Sequence, residues 1–516
     1  MTATLFFYYP DRRMDMSDES QNPQEQTTPS NDKVQTAKET AQKVLTSAIS
    51  KADELYNKLP LDKINEKLKG KVDVKSGKFK KGLTLAVCIV VLLSLLICLF
   101  GGDGYEPESN FMTEALGKEV TITGYTGTAM TVKIPLKIGE RKVTKIGEEA
   151  FANCRGITDV IIPAGVTAIE DNAFLNCDRL VNVKIPSGVK EIGYHAFEGC
   201  TGLTSVKIPS SVTEIGRAAF KGCTELTSVK IPSSVTKIGA EVFSGCTELK
   251  SVKISSSVDI IGVAAFQGCT GLTNVKIPSG VKEIGAFAFQ GCTGLKSVKI
   301  PSGVTVIEHR AFEGCTGLKS VGIPSSVTEI EFAAFQGCTG LTSVKIPSGV
   351  TTIGDYAFKG CTGLKSVKIP SGVKFIGGYA FFRTNIDSIS LPNGITIIGE
   401  GTFKSSSLTS IVIPDSVTEI GKEAFAGCKL TSIVIPDSVK KIGDSVFVDC
   451  KALTEIKFSK QLRTLPCNLL SGCSSLSHII RPQSSWIITE VPGMYRETRD
   501  AYKFDNIPEN CKTTRY

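Results

Sequence analysis

The apolar positions of this chain recur at a fixed spacing, and phenylalanine marks that spacing most plainly. From residue 151 to residue 381 a phenylalanine recurs every 23 residues, and the step then shortens to 22 as far as Phe447. Leu470 takes the same position 23 residues later. A fixed period of this length is typical of a solenoid, in which each coil buries its apolar residues against its two neighbours. The pattern therefore predicts a linear array of about fifteen similar coils.

Within one coil, the alternation of apolar and polar residues predicts two short strands. At residues 205–209, Val206 and Ile208 alternate with polar residues that include Lys207, as in a strand with one buried face. A second extended piece follows at residues 212–216. A short helical or 3₁₀ turn is then expected to carry the Ala-Phe pair and the cysteine. Matching strands of stacked coils should form parallel sheets, with neighbouring strands about 4.8 Å apart.

The repeated pattern Leu-x-x-Val-x-Ile-Pro-x-x-Val-x-x-Ile-Gly-x-x-Ala-Phe-x-x-Cys resembles the BspA-like leucine-rich repeat surface protein family. The resemblance covers about 360 residues and recurs in more than a dozen copies. It implies a leucine-rich repeat solenoid and a role in surface attachment, through adhesion to matrix proteins, to epithelial cells or to other microbes. It implies no catalytic residues, and it transfers no binding residue to this chain.

Composition divides the rest of the chain into shorter regions. The predicted regions are a disordered tail at 1–33, an amphipathic helical cytoplasmic region at 34–81, a transmembrane helix at 82–100, a linker at 101–118, the leucine-rich repeat solenoid at 119–482, and a C-terminal cap or tail at 483–516. The apolar stripe of the helical region is mostly alanine. This composition favours a solvated helix over self-association or a helix lying on the membrane surface.

The uncharged run at residues 82–100 is long enough to cross a membrane. Its 19 residues, as a helix, span the hydrocarbon core of a bilayer. Six lysines lie within residues 69–81, before the run. After the run, the charged side chains that precede Lys118 are all acidic and extend from Asp103 to Glu114. Because basic flanks stay on the cytoplasmic side, the sequence predicts a single-pass membrane protein with a cytoplasmic N-terminus and extracellular repeats.

A cysteine follows each phenylalanine by three residues through most of the array. Thr384 and Ser406 take this position in two coils, and Cys428 resumes the series. Metal sites use cysteines paired at short spacing, and the array has no such pair. The inward register and the small replacements favour a row of buried free thiols over disulfides or metal ligands.

Sequence signals for catalysis are missing. His195, His309 and His478 share no metal-ligand spacing, and the chain has no Gly-x-Ser-x-Gly motif and no phosphate-binding loop. The sequence therefore predicts no enzyme, no metal site and no cofactor.

One outward row of the predicted strands is basic and is the candidate binding site. The position after the inward valine is lysine in eight coils, with a gap at Gly322. The eight candidate ligand-binding residues are Lys184, Lys207, Lys230, Lys253, Lys276, Lys299, Lys345 and Lys368. Further charge beside this row comes from Lys250, Lys296, Lys319 and Lys365. From Ser390 onward the row ends, and Val412 and Val434 take the same position.

Two interpretations of the lysine row remain open from sequence alone. Exposed lysines protect sheets from aggregation, so the row can be a solvated face; alternatively, it attracts an acidic ligand. We expect a cell-surface protein that binds proteins or acidic glycans of host or neighbouring cells through its strands. A structural surface scaffold without a ligand of its own is the alternative. Nucleic acid is not expected, because no aromatic residues interleave with the lysines to stack bases.

Overall fold

The computed structural model describes residues 104–481, except 463 and 467, together with two strands at Ile487–Ile488 and Lys512–Arg515. The predictions made for residues 1–33, 34–81 and 82–100, and for most of 483–516, lie outside these residues. Among the described residues, no helix has the length and apolar character needed to cross a membrane. The unit that begins at Tyr105 is a parallel β-solenoid of about 16 coils.

Each coil contributes one short strand to a first strand row. Its strands are β3 (Thr131–Lys133), β6 (Asp159–Ile161), β8 (Asn182–Lys184), β10 (Ser205–Val206), β12 (Ser228–Lys230), β14 (Ser251–Lys253), β16 (Asn274–Val275), β18 (Ser297–Lys299), β20 (Ser320–Gly322), β22 (Ser343–Lys345), β24 (Ser366–Lys368), β26 (Ser388–Ser390), β28 (Ser410–Val412), β30 (Ser432–Val434), β32 (Glu455–Lys457), β34 (His478–Arg481) and β36 (Lys512–Arg515). They form three consecutive parallel sheets, which break between β20 and β22 and between β28 and β30. We call the outward surface of this row the strand face.

A second strand row runs along the coils beside the first. Its strands are β2 (Glu119–Tyr125), β5 (Arg141–Ile146), β7 (Ala168–Ile169), β9 (Glu191–Ile192), β11 (Glu214–Ile215), β13 (Lys237–Ile238), β15 (Ile260–Ile261), β17 (Glu283–Ile284), β19 (Val306–Ile307), β21 (Glu329–Ile330), β23 (Thr352–Ile353), β25 (Phe375–Ile376), β27 (Ile397–Ile398), β29 (Glu419–Ile420), β31 (Lys441–Ile442), β33 (Thr464–Leu465) and β35 (Ile487–Ile488). Pairing within this row is parallel and joins successive coils, with breaks between β11 and β13, β17 and β19, β25 and β27, and β31 and β33.

The inward and outward positions of the strands agree with the predicted alternation. Val206 and Ile208 are buried and Lys207 is exposed, because successive side chains of a strand point to opposite faces. In the second row, Val212 and Ile215 are also buried. The predicted parallel solenoid and its inward residues are therefore confirmed.

The third side of each coil is a turn rather than the predicted short helix. The one helix among the described residues is the 3₁₀ helix Glu108–Asn110, which lies outside the repeats. Two residues before Phe220, Ala218 has φ +55°, and two residues after it, Gly222 has φ +71°. Left-handed residues on both sides of the phenylalanine prevent a right-handed helix from forming, which corrects the prediction. We call this third side the turn side.

The phenylalanines form a continuous stack through the core. From Phe151 to Phe447, neighbouring ring centroids are 4.9 to 5.8 Å apart and the ring planes lie within 12° of parallel. These side chains are almost fully buried. Each ring covers the next coil's ring, so the burial of each phenylalanine depends on the neighbouring coils.

The cysteines form a second buried row beside this stack. Each described thiol from Cys177 onward donates a hydrogen bond to the backbone carbonyl of the phenylalanine one coil earlier, with Sγ–O distances of 3.0 to 3.3 Å. Burial raises the pKa of Cys246 to about 12, because a thiolate there would lose its hydration. The thirteen described cysteines are free thiols, and all except the half-buried Cys154 are buried. The predicted inward position of this row is confirmed.

An N-terminal hairpin covers the first coil. The sequence predicts a linker at residues 101–118, but β1 (Phe111–Leu116) lies within it and pairs antiparallel with β2. The turn between them uses Gly117, whose φ of +60° favours glycine. A further short strand, β4 (Lys137–Ile138), pairs antiparallel with β5. Phe111 and Tyr125 pack against Phe151, so the hairpin closes the open end of the aromatic stack.

We predict that truncating one ring in the middle of the stack destabilises the array. Phe266→Ala should lower the free energy of unfolding by roughly 3 to 5 kcal/mol, because a buried ring is removed and a cavity remains. Phe375→Ala is the matched control, since Phe375 is half exposed on β25 and should cost much less. Chemical unfolding curves measure both. Equal losses for the two variants would contradict the inward assignment of Phe266.

Candidate functional site

All eight candidate lysines lie in one row on the strand face. Each occupies the outward position directly after the buried valine of its coil, and each is exposed. The parallel register places Lys230 opposite Lys253 and Lys345 opposite Lys368. Strands paired in this way are about 4.8 Å apart, so the lysines form a line of closely spaced positive charges. Sequence and structure therefore agree on the position of every lysine in the row.

A second set of lysines increases the charge beside this row. These residues are exposed and come directly before the first residue of a strand: Lys250, Lys296, Lys319 and Lys365. Between β8 and β24, the first-row strands themselves contain no acidic residue. The basic part of the strand face therefore has a uniform sign over nine consecutive coils.

Ion pairs in the described coils that carry the lysine row lie on other surfaces, and the pair of His478 with Glu455 on the first strand row lies beyond these coils, on β34 and β32. On the turn side, Lys221 Nζ is 2.8 Å from Glu241 Oε2, and Arg217 pairs with the same carboxylate. The hydrogen bond from Lys221 lowers the pKa of the Glu241 carboxyl, and the same bond raises the pKa of Lys221. On the second strand row, Lys441 Nζ is 2.6 Å from Glu419 Oε1. Sequence reasoning missed these pairs, because their partners are 20 to 24 residues apart and neighbour each other only after the coils stack.

None of the eight strand-face lysines takes part in an ion pair within the part of the chain that the structure describes. Neighbouring lysines therefore repel one another without a carboxylate to offset their charge. At separations of about 5 Å this repulsion lies within the Debye length of physiological salt, which is about 8 Å. The positive charges of this row are not neutralised by the described part of the protein, and an acidic group placed over the row would reduce the repulsion between the lysines.

Two shallow grooves run between the lysine side chains. The larger has a volume of about 590 Å³ and is lined by Lys207, Lys230 and Lys253, with serines and the edges of the buried valines below them. A second groove of about 350 Å³ lies between Lys184 and Lys207. The serine hydroxyls can donate hydrogen bonds beside the ammonium groups. The grooves thus combine positive charge with neutral donors, which suits carboxylate or sulfate groups.

A cluster of rings and cations on the turn side was not predicted from the sequence. The Tyr356 and Tyr379 rings are stacked with their centroids 5.3 Å apart. Phe332 makes a T-shaped contact with Tyr356, and Phe382 makes a T-shaped contact with Tyr379. Lys359 lies 4.8 Å from the centroid of the Tyr356 ring. Burial, followed by the hydrogen bond to Glu400, raises the pKa of Tyr379. The four rings are half-buried and contact one another and the cations, so the cluster stabilises the turn side.

The repeat pattern matches the family model described as "BspA type Leucine rich repeat region (6 copies)" at residues 144–273, 260–386 and 374–491, which together exceed half of the chain. The chain belongs to the BspA-type leucine-rich repeat family. The resemblance recognised from the repeated residues is therefore confirmed.

Solved structures of leucine-rich repeat proteins are similar to this chain. A leucine-rich repeat protein from Bacteroides ovatus is 28% identical with a TM-score of 0.51, and the alignment covers 79% of this chain and 98% of that one. A leucine rich cell surface protein from Faecalibacterium prausnitzii is 30% identical with a TM-score of 0.45, over 74% of this chain and 95% of that one. No curated protein sequence matches this chain.

We predict that the lysine row lowers the stability of the solenoid at low salt. Raising the ionic strength from about 0.01 M to about 1 M shortens the Debye length from about 30 Å to about 3 Å. Both the unaltered chain and the variant Lys230→Gln/Lys253→Gln/Lys276→Gln/Lys299→Gln are compared at low and high salt. Because salt screens the repulsion between the lysines, the rise in melting temperature should be about 2 °C larger for the unaltered chain than for the variant. Thermal unfolding followed by circular dichroism measures the difference.

A matched variant controls for net charge. Lys190→Gln/Lys282→Gln/Lys374→Gln/Lys440→Gln also removes four positive charges, but these exposed lysines lie beside the second strand row and at least three coils apart. We expect it to keep the salt response of the unaltered chain. An equal loss of salt response in both variants would show that the row itself is not the source of the repulsion.

Proposed function

We propose that this chain is a cell-surface adhesion or ligand-binding protein, and that its strand face binds proteins or acidic glycans. The observation that carries the proposal is the row of eight in-register lysines without a carboxylate partner among the described residues. Lys221, on the turn side of a coil in the row, and Lys441, on the second strand row of a later coil, do form ion pairs. The lack of carboxylate partners on the strand face of the described coils therefore favours binding of an external acidic ligand, in preference to a face that only contacts solvent.

The shape of the strand face favours an extended ligand. The lysines from Lys184 to Lys368 follow eight coil steps, which at about 4.8 Å each correspond to about 38 Å. The grooves between them are shallow and open, unlike the enclosed sites that bury small molecules. A linear acidic chain can contact many of these lysines at once, and each exposed pair would add a modest contribution.

We also propose that residues 82–100 anchor the protein in a membrane, with the N-terminus in the cytoplasm and the repeats outside. The proposal comes from the uncharged run and its asymmetric flanks in the sequence. Membership of the BspA-type family, together with the surface location printed for the Faecalibacterium protein, fits a repeat region displayed outside the cell. A displayed, unneutralised basic face would meet acidic groups on neighbouring cells or matrix proteins.

A structural scaffold is the second candidate function. The continuous stack from Phe151 to Phe447 and the parallel strands make a regular array that can space other parts of a surface layer without binding a ligand. Under this function the lysine row would only keep the array soluble. The two candidates differ in whether the strand face has measurable affinity for acidic chains.

We predict that acidic polymers bind the full chain through the lysine row. Poly-glutamate and dextran sulfate should bind at low ionic strength and dissociate as salt rises, because exposed charge pairs are screened. Lys230→Gln/Lys253→Gln/Lys276→Gln/Lys299→Gln should weaken binding by about fourfold to several hundredfold, since four exposed pairs contribute roughly 0.2 to 1 kcal/mol each. Fluorescence anisotropy measures the affinities.

The control for this experiment is again the variant that replaces the four lysines beside the second strand row. It lowers the net charge equally and should retain its affinity for both polymers. Binding that persists in high salt and in the strand-face variant would reject the lysine row as the site. No binding to either polymer would favour the scaffold.

The predicted membrane topology can be tested on intact cells that express the chain with a tag at each end. Protease added outside should remove the C-terminal tag with the repeats and spare the N-terminal tag, because the basic residues at 69–81 hold the N-terminus inside. Western blots of the two tags report the result. Repeats that stay protected until the cells are permeabilised would contradict this orientation.

A further inference from the structure

The strand face changes its chemistry at its C-terminal end. Val412 and Val434 occupy the row position that lysine holds in earlier coils, and they are 80% and 56% exposed. They lie on β28 and β30, which contact each other, and Ser390 on β26 is the preceding residue of the row. An apolar surface therefore follows the lysines along the same row, beyond the polar Ser390.

The core beside Val412 is also less completely covered. Ile411, the inward residue of β28, is only partly buried, whereas Ile389 and Ile433 on the neighbouring strands are buried. Removing apolar surface from water is favourable by about 25 cal/mol per Å². The exposed valines and Ile411 together offer apolar surface to a partner at one point of an otherwise polar face.

The strand face loses its positive charge at the same place. Strands β26, β28 and β30 contain no lysine, and the exposed Asp387 and Asp415 flank them. A uniformly acidic glycan would gain nothing from the valines and would be repelled by these carboxylates. A polypeptide can present acidic side chains along one stretch and apolar side chains along the next, so it can match both parts of the face.

We propose that the strand face binds an extended polypeptide, with an acidic stretch over the lysine row and adjoining apolar side chains against Val412 and Val434. This inference rests on the proposed function, which supplies the acidic half of the ligand. Six coil steps separate Lys299 from Val434 and correspond to about 29 Å at about 4.8 Å each. About nine residues of extended chain, at about 3.3 Å per residue, bridge this distance.

The test compares synthetic peptides that differ only in an apolar end. One peptide has about ten glutamates, and two others carry two leucines in addition, at the N-terminus or at the C-terminus. An extended chain of this size spans about 40 Å and reaches from the lysines to the valines. On the full chain, we expect one leucine-extended peptide to bind about tenfold more tightly than plain poly-glutamate, because its leucines bury apolar surface against the valines.

Variants of the chain locate the effect. Val412→Ser/Val434→Ser should abolish the advantage of the leucines and leave the affinity for plain poly-glutamate within about twofold. The matched control is Phe375→Ser/Ile397→Ser, which alters two residues of the second strand row that are 50% and 47% exposed. This control should keep the full advantage. Circular dichroism melting curves of both variants check that the solenoid remains folded.

The possible results separate this inference from the proposed function. Equal affinities of all peptides for the unaltered chain, or a leucine advantage that survives Val412→Ser/Val434→Ser, would overturn the polypeptide inference and leave the lysine row as an acidic-ligand site. Tighter binding of dextran sulfate than of any peptide, unaffected by the valine substitutions, would assign the face to glycans and also overturn it. Loss of binding to every acidic probe would refute the proposed function itself.

Discussion

Each coil depends on the coils on either side, because about 23 residues cannot enclose a core of their own. The two strands and the turn of a coil bring one phenylalanine, one cysteine and several branched apolar residues to its interior, and the neighbouring coils cover them. Backbone hydrogen bonds between coils run along both strand rows and also along the turn side, where Phe220 N donates to Val242 O at 2.9 Å. The same parallel register that stacks the rings inside also stacks identical side chains outside.

This register explains why the strand face is unusual. A single lysine in one coil would be an ordinary exposed charge, but the repeat places lysines in line wherever the sequence copies itself. On the turn side the repeat has diverged enough for Glu241 to lie between Arg217 and Lys221, and the charges are balanced there. The strand face has kept its lysines without acquiring acidic neighbours. Its charge is thus a property of the array and not of any one coil.

The repeated parts of the fold could be predicted from the sequence, because periodicity reveals positions that recur. The strands, the inward residues and the lysine row all follow from alternation within a coil and identity between coils. The helical turn was predicted wrongly, because Ala218 and its equivalents are ordinary residues in a left-handed conformation. The glycine two residues after most of the phenylalanines, such as Gly222, was the signal that could have indicated this backbone.

Features that occur only once in the chain could not be predicted from the repeat pattern. The β1–β2 hairpin has no second copy, and the six residues of β1 give too short a pattern to predict a strand. The hydrogen bond from each thiol to a phenylalanine carbonyl depends on the stacking distance, although the constant spacing of the two residues is visible in the sequence. The lack of acidic partners around the lysines is likewise a three-dimensional fact. Spacing alone could not decide between a solvated face and a binding face.

The near identity of the central coils has a consequence for the length of the protein. Between Phe220 and Phe358 every ring meets its neighbours at 5.4 to 5.6 Å, so each junction between coils is nearly equivalent to the next. Duplicating or deleting one whole coil there creates a junction like those already present, and both ends of the array stay unchanged. The gene can therefore vary the number of coils in steps of 23 residues. Each step would lengthen or shorten the reach of the basic face by about 4.8 Å, leaving the hairpin and the valine-bearing coils intact.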